Sequence, residues 1–227
     1  MRILNVLLGA FLSIFLIASA QAGSFGLGAT GNIASVSADG TETEGTSGSE
    51  TENSVRDATA GNEFMFGSVY AEYAFGEGEH FVFGIEHIPM SADVNSETLS
   101  RTDASQGAYT AEDTGTVKAN AEISDHTTYY VEAGQGATGL YGKVGFTQVD
   151  INVKQTNDSG YGTYPDKTLD ATTYAIGYRA GYGSNGVIKI EGFMTDYDSY
   201  SATSTTSNTV SANLDVVGAK LSIGWKF

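Results

Sequence analysis

A chain of 227 residues with 27 acidic against 11 basic side chains, a formal net charge of −16 and no cysteine excludes several classes at once. It lacks the basic surface that nucleic acid requires, and it has no thiol for a disulfide, a thiolate metal site or a lipid-anchored amino terminus. With 29 glycines, 13 tyrosines and only 2 prolines, its composition favours strands over helices.

Met1 to Ala22 reads as a cleavable signal peptide. Arg2 supplies the positive start, Val6 to Ala18 the apolar run, and Ala20-Gln21-Ala22 the small-residue cleavage site, and the run is too short for a membrane-spanning helix. Residues 23–227 then form one domain, and removal of Arg2 makes it one unit more negative still. No second apolar run is long enough for a helix to cross a bilayer, so a membrane protein built from this chain must cross as a closed barrel.

From Gly23, the residues Phe25, Leu27, Ala29 and Ile33 alternate with small polar ones as a first strand. Ser37 to Asn62 loses this period and is expected to be a polar loop. Strand two, Glu63 to Phe75, places Met65, Val69, Ala71, Tyr73 and Phe75 on one face, with Ser68, Tyr70 and Glu72 on the other. Gly76 to Glu79 is a tight turn. Strand three follows with Phe81, Phe83 and Ile85 against Val82, Gly84 and Glu86, until Pro89 ends regular pairing.

A second polar loop is expected over Ser91 to Thr116. Strand four runs to Ala133 with Ala121, Ile123, Thr127, Tyr129 and Val131 on one face and Lys118, Glu122, His126, Tyr130 and Glu132 on the other. After the turn Gly134 to Gly139, strand five opposes Gly142, Val144 and Phe146 to Tyr141, Lys143, Gly145 and Thr147, and its phase slips past Gln148 as at a bulge or a strand end. Gln155 to Thr168 is a third loop. Strand six carries Tyr174, Ile176, Tyr178, Ala180 and Tyr182 against Ala175, Gly177, Arg179 and Gly181, and Gly183 to Gly186 turns the chain. Strand seven opposes Ile188, Ile190 and Met194 to Lys189, Glu191 and Phe193, and Asp198 to Thr209 forms a fourth loop. The final strand places Val217, Ala219, Leu221, Ile223, Trp225 and Phe227 on one face, against Gly218, Lys220, Ser222, Gly224 and Lys226.

Eight strands whose connections alternate long and short predict an all-β fold, an eight-stranded antiparallel transmembrane β-barrel with short periplasmic turns and long extracellular loops. A soluble up-and-down barrel shares the strand number, but it would hide the apolar faces and leave the terminal Trp225-Lys226-Phe227 without a role. The strand count, the turns and the C-terminal Gly-Trp-Lys-Phe resemble the small OmpA- and OmpX-type outer-membrane barrels of Gram-negative bacteria. The resemblance implies residence in the outer membrane among its lipids, and recognition of Trp225 and Phe227 by the barrel-assembly machinery. The same two residues are expected in the periplasmic aromatic girdle, and the protein is expected to act as a monomer.

If the polar strand faces line the lumen, they place Glu72, Glu86, Glu132 and Glu191 there with Lys143, Arg179, Lys189 and Lys220. An eight-stranded barrel is just wide enough for side chains to fill, and ions in so dry a space must be paired. A salt-bridged plug, thickened by Tyr70, Tyr130 and Tyr141, is therefore favoured over a charged selectivity path. His80, His87 and His126 are the histidines. Asp125 and His126 are sequence neighbours on opposite faces of a strand, which is the wrong geometry for a catalytic pair, and no nucleophile, base and orienting group can be assembled. No Asp-x-Asn-x-Asp calcium loop is present, and no cofactor is expected. Two functions remain: a non-catalytic barrel serving envelope structure or surface interaction through its acidic loops, and a narrow, porin-like conduit for small solutes.

Overall fold

A computed structural model describes residues 23–43, 55–76, 78–94, 98–104, 112–157, 163–205 and 208–227. Residues 1–22, expected to be a signal peptide, and the centres of the polar stretches, including 44–54 and 105–111, lie outside these residues. The described strands, in chain order, are β1 (Gly23–Thr43), β2 (Val55–Phe75), β3 (Phe81–His87), β4 (Ala92–Val94), β5 (Thr98–Ala104), β6 (Glu112–Gly134), β7 (Gly139–Asn157), β8 (Lys167–Tyr182), β9 (Gly186–Tyr197), β10 (Tyr200–Thr203) and β11 (Thr209–Lys226).

These strands make a wall of eight positions. After Pro89 interrupts β3, β4 and β5 continue along β6 in its place, and β10 continues β9 along β11. Every pairing is antiparallel between successive positions of the wall, and β1 closes the sheet on β11 from Gly26↔Lys226 to Thr43↔Thr209. Closure leaves no sheet edge at the level where the termini meet, as crossing a bilayer demands. Both ends of the barrel domain, with three short turns, fall at one rim. There Gly76 takes φ 71° and Glu79 φ 49°, and Glu79 N–H donates to Gly76 O at 3.1 Å across the turn between β2 and β3.

Side chains alternate across the wall with period two. Outward lie Leu27, Ile33, Met65, Val144, Ile176, Ile190, Val217, Leu221, Ile223 and Trp225, between 46% and 80% exposed. In water so continuous an apolar belt would be untenable; facing lipid it is required. The belt ends abruptly. Above Ile33, Met65, Met194 and Val217 the next outward residues are Ser35, Glu63, Asp196 and Asp215, all exposed.

At that level the inward face inverts as well, turning apolar with Ala34, Val36, Phe64, Phe66, Val149 and Leu169. The strands are long enough for this change of solvent. β1 and β2 have 21 residues each and β6 has 23, about twice the 9–11 that cross a bilayer. Half of the wall therefore stands in the membrane with its polar face inside, and half stands in water with its apolar face inside.

That inversion corrects the expected loops. Ser37 to Asn62 is not wholly irregular, because Ser37 pairs with Gly61, Asp39 with Thr59 and Thr41 with Asp57, and side-chain bonds such as Thr59 to Asp39 at 2.9 Å join the exposed rungs. The second, third and fourth polar stretches likewise contribute β4, β5, the start of β6, the end of β7, the start of β8 and β10. Polar residues outside water-bathed strands break no periodicity; they only lack the oily outer face by which a lipid-facing strand announces itself.

The expected slip past Gln148 is also corrected. β7 runs unbroken and keeps Thr147 and Val149 inward, while the irregularity lies opposite, in β6, where the register shifts between Ser124 and Thr127. Asp125 takes φ 52° at this bulge. The extra residue reverses the faces above it. Ile123 pairs with the inward Ile151, and Glu122 turns out to meet Lys154, the reverse of the assignment made by uninterrupted alternation.

Candidate functional site

The lumen gathers nearly all of the buried chemistry among the described residues, in layers. At the rim that carries the termini, Lys226 Nζ meets Glu79 Oε2, and Ser24 Oγ donates to Glu79 Oε1 at 2.7 Å. Burial alone would push the Glu79 carboxyl up, but the bonds from Lys226 and Ser24 outweigh it and hold the group below the usual carboxylate range. This contact ties the last strand to the turn between β2 and β3. Beside it Phe227 stacks on Phe25 with ring centroids 6.4 Å apart, and Trp225 faces outward on β11.

The charges come next. Lys189 Nζ lies 2.5 Å from Glu72 Oε2 and 3.2 Å from Glu132 Oε1, and Arg179 Nη2 is 3.1 Å from Glu132 Oε2. Lys143 Nζ reaches Glu191 Oε1 at 2.6 Å and Glu132 Oε1 at 3.5 Å. Glu132, fully buried, thus receives three cations and joins β6 to β7, β8 and β9. Lys220 and Glu86 form a separate pair at 2.8 Å, to which Ser68 Oγ donates at 2.7 Å. All eight charges named from the sequence lie inside the barrel, four acids with four bases.

Three tyrosines fill the space between them. Tyr130 donates to Glu72 at 3.0 Å and Tyr141 to Glu191 at 2.6 Å. The Arg179 guanidinium lies 4.6 Å from the Tyr141 ring centre, Lys143 4.4 Å from that of Tyr130, and Lys189 5.2 Å from that of Tyr70. Each ring lies over a glycine on the adjacent strand: Gly28 is the register partner of Tyr70, Gly84 of Tyr130 and Gly177 of Tyr141. A Cβ at Gly84 would stand 2.1 Å from the Tyr130 ring. These glycines are therefore the recesses into which the rings fit.

Beyond the charges runs a belt of hydroxyls. Thr128, Thr147, Thr173 and Thr195 bond side by side across β6, β7, β8 and β9 at 2.8, 2.8 and 2.9 Å, and Thr30 meets Ser222 at 2.9 Å. Above the belt Ala34, Phe193 and Val216 pack with Phe64, Phe66, Val36, Ala175 and Tyr197. Sequence reading placed Phe193 and Ala175 on the polar face and missed the rest of this layer. The available signal was that Phe64 and Phe66 share the parity of Ser68 and Tyr70.

Among the described residues the histidines do not assemble with an acid and a serine or threonine in one catalytic group. His126 points inward and its Nε2 lies 2.8 Å from the Tyr197 hydroxyl, His87 Nδ1 is 3.0 Å from Thr127 Oγ1, and His80 contacts Gly134 O at the turn rim. Asp125 is exposed on the outer surface of the bulge. Among the described residues no group of three or more His, Asp or Glu side chains is arranged to hold a metal ion.

No family model matches the sequence, and no curated protein matches it. Solved structures do. The attachment invasion locus protein Ail of Yersinia pestis, determined with the heparin analogue sucrose octasulfate, shares 10% identity over 88% of this chain and 99% of its own, with a TM-score of 0.35. The outer membrane protease OmpT of Escherichia coli shares 8% identity over 89% and 97%, with a TM-score of 0.42. On its own geometry of closed antiparallel strands, outward apolar belt and charged lumen, this chain has the fold of a small outer-membrane β-barrel of the OmpA/OmpX type.

Proposed function

We propose that the protein is a non-catalytic integral outer-membrane barrel whose lumen is plugged by its own charges, and that it serves envelope structure or surface interaction through the acidic half of the wall outside the membrane. The observation that carries this reading is the hub at Glu132. One carboxylate holds cations from three other strands in the middle of the bore, and each of the other lumen acids has its own base. The tyrosines between the charges, and the threonine belt and apolar layer above them, support a filled bore, as expected at this strand number.

The acidic outer surface, with Asp39, Asp57, Glu63, Asp196 and Asp215 exposed, fits cationic rather than polyanionic partners. Recognition of the carboxyl end by the assembly machinery belongs to the same proposal. So does the absence of catalysis: the hydroxyl at His126 Nε2 is the Tyr197 phenol, and Asp125, exposed outside the bulge, does not face that pair.

One observation favours a second reading, a narrow conduit for small solutes. Arg179 Nε, Glu191 Oε2 and Asn32 Oδ1 are buried without a hydrogen-bond partner, and such atoms are where water would thread a bore. Current through planar bilayers decides between the two. The plug predicts none from the parent protein, and steady unitary conductance would establish the conduit.

A further inference from the structure

The outer wall is not uniformly convex. On the lipid-facing side near the turn rim a groove of about 470 Å³ runs over Gly142, walled by Leu140, Ile176 and Ala133, and reaches Gln135 in the turn between β6 and β7. Gly142 forms its floor between Ala133 and Ile176, its register partners on β6 and β8, and a side chain built there would enter open space. Leu140 and Ile176 stand on either side at 53% and 68% exposure. No charged side chain lines it. The groove is placed among the outward apolar residues, and its Gln135 end is at the rim bearing the termini and the short turns, the periplasmic rim of such a barrel.

We infer that this groove is a binding site for one acyl chain of a periplasmic-leaflet phospholipid, with the headgroup beside Gln135. The inference takes from the proposed function only that the wall faces lipid. In hydrocarbon there is no hydrophobic drive to occupy a groove, and selectivity comes from packing, to which small residues contribute by letting a neighbour approach closely. An unfilled groove forfeits dispersion contacts along its whole lining. A flexible methylene chain recovers them, and a rigid protein surface must match the shape. Gln135 supplies the polar end. Its Oε1 accepts from Leu140 N–H at 3.3 Å, which orients the amide nitrogen as a donor to an ester or phosphate oxygen. Continuity with the bilayer-facing belt makes lipid the occupant rather than a second copy of the chain.

The full-length barrel, reconstituted in phosphatidylethanolamine vesicles containing phosphatidylethanolamine with a diazirine on one acyl chain, provides the test. On illumination, the peptides carrying Ala133–Gly142 and Ile176 are expected to be labelled several-fold above the other lipid-facing strands. Gly142→Leu fills the groove and is expected to abolish that excess. Gly31→Leu, at an outward glycine with open space around it on β1, away from the groove, is expected to leave it unchanged. If Gly142→Leu fails to assemble, Ile176→Ala removes one wall instead and is expected to reduce the excess. Even labelling around the barrel, an excess that survives Gly142→Leu, or barrel-to-barrel crosslinks through this face would overturn the site. Absence of labelling anywhere on the wall would instead sink the membrane reading on which it rests.

Discussion

Replacing Glu132 with alanine tests whether the lumen charges act as one connected unit. In the parent, Glu132 is the carboxylate paired with Arg179, at 3.1 Å, while Lys189 also holds Glu72 at 2.5 Å and Lys143 also holds Glu191 at 2.6 Å. Glu132→Ala therefore strands one cation, and that cation is a guanidinium 1% exposed. Breaking a buried pair from one side costs ~3–5 kcal/mol, chiefly through the partner left uncompensated. Arg179→Ala leaves Glu132 with both lysines, so its cost is expected at or below the lower end of that range. The double variant removes the stranded charge together with its partner and is expected to be more stable than Glu132→Ala alone. Equilibrium unfolding of the refolded barrel in urea, compared at constant denaturant slope, gives all three values, and bilayer recordings show whether either single variant admits ions. A double variant destabilised by the sum of the singles would refute the coupling, and Glu132→Ala within about 1 kcal/mol of the parent would refute burial of the pair.

Gly84→Ala is expected to cost about 1–3 kcal/mol by forcing the Tyr130 ring from its recess, measured by the same unfolding, and an unchanged midpoint would show that the ring has another place to go. Glu79 is held below the ordinary carboxylate range by Lys226 and Ser24, so its contribution to stability is present above the unfolded carboxyl pKa and is lost as pH falls through the folded one. Lys226→Ala should flatten the acid limb of the stability profile, and identical limbs would count against the contact. Deleting Phe227 removes the partner of Phe25 and the aromatic residue that follows β11, and is expected to leave unfolded precursor in cells. Normal yield of heat-modifiable barrel would contradict its role in assembly.

What could be read from the sequence depended on which solvent each part of the wall faces. Within the bilayer the two faces of a strand contrast sharply, as in Leu221-Ser222-Ile223 or Ile188-Lys189-Ile190, so strand, phase and inward charge follow from alternation. The eight lumen charges come from such segments. Their connectivity does not, because it depends on which strand lies opposite across the bore: Lys189 meets Glu72, 117 positions away, by virtue of barrel closure and stagger. In water the contrast inverts and weakens. Val36 and Ala38 alternate with Ser37 and Asp39, and threonine serves either face. Even the bulge was visible only as a disturbance attributed to the wrong strand, since a register shift is a property of a pair. Asp125 absorbs it with φ 52°, while Val149, opposite the bulge, continues undisturbed. The polarity inversion at Ser35, Glu63, Asp196 and Asp215 is therefore both the reason that the outer half escaped sequence reading and the mark of where the bilayer stops. The same rule of paired strands in two solvents gives one fold a charged core inside lipid and an apolar core inside water.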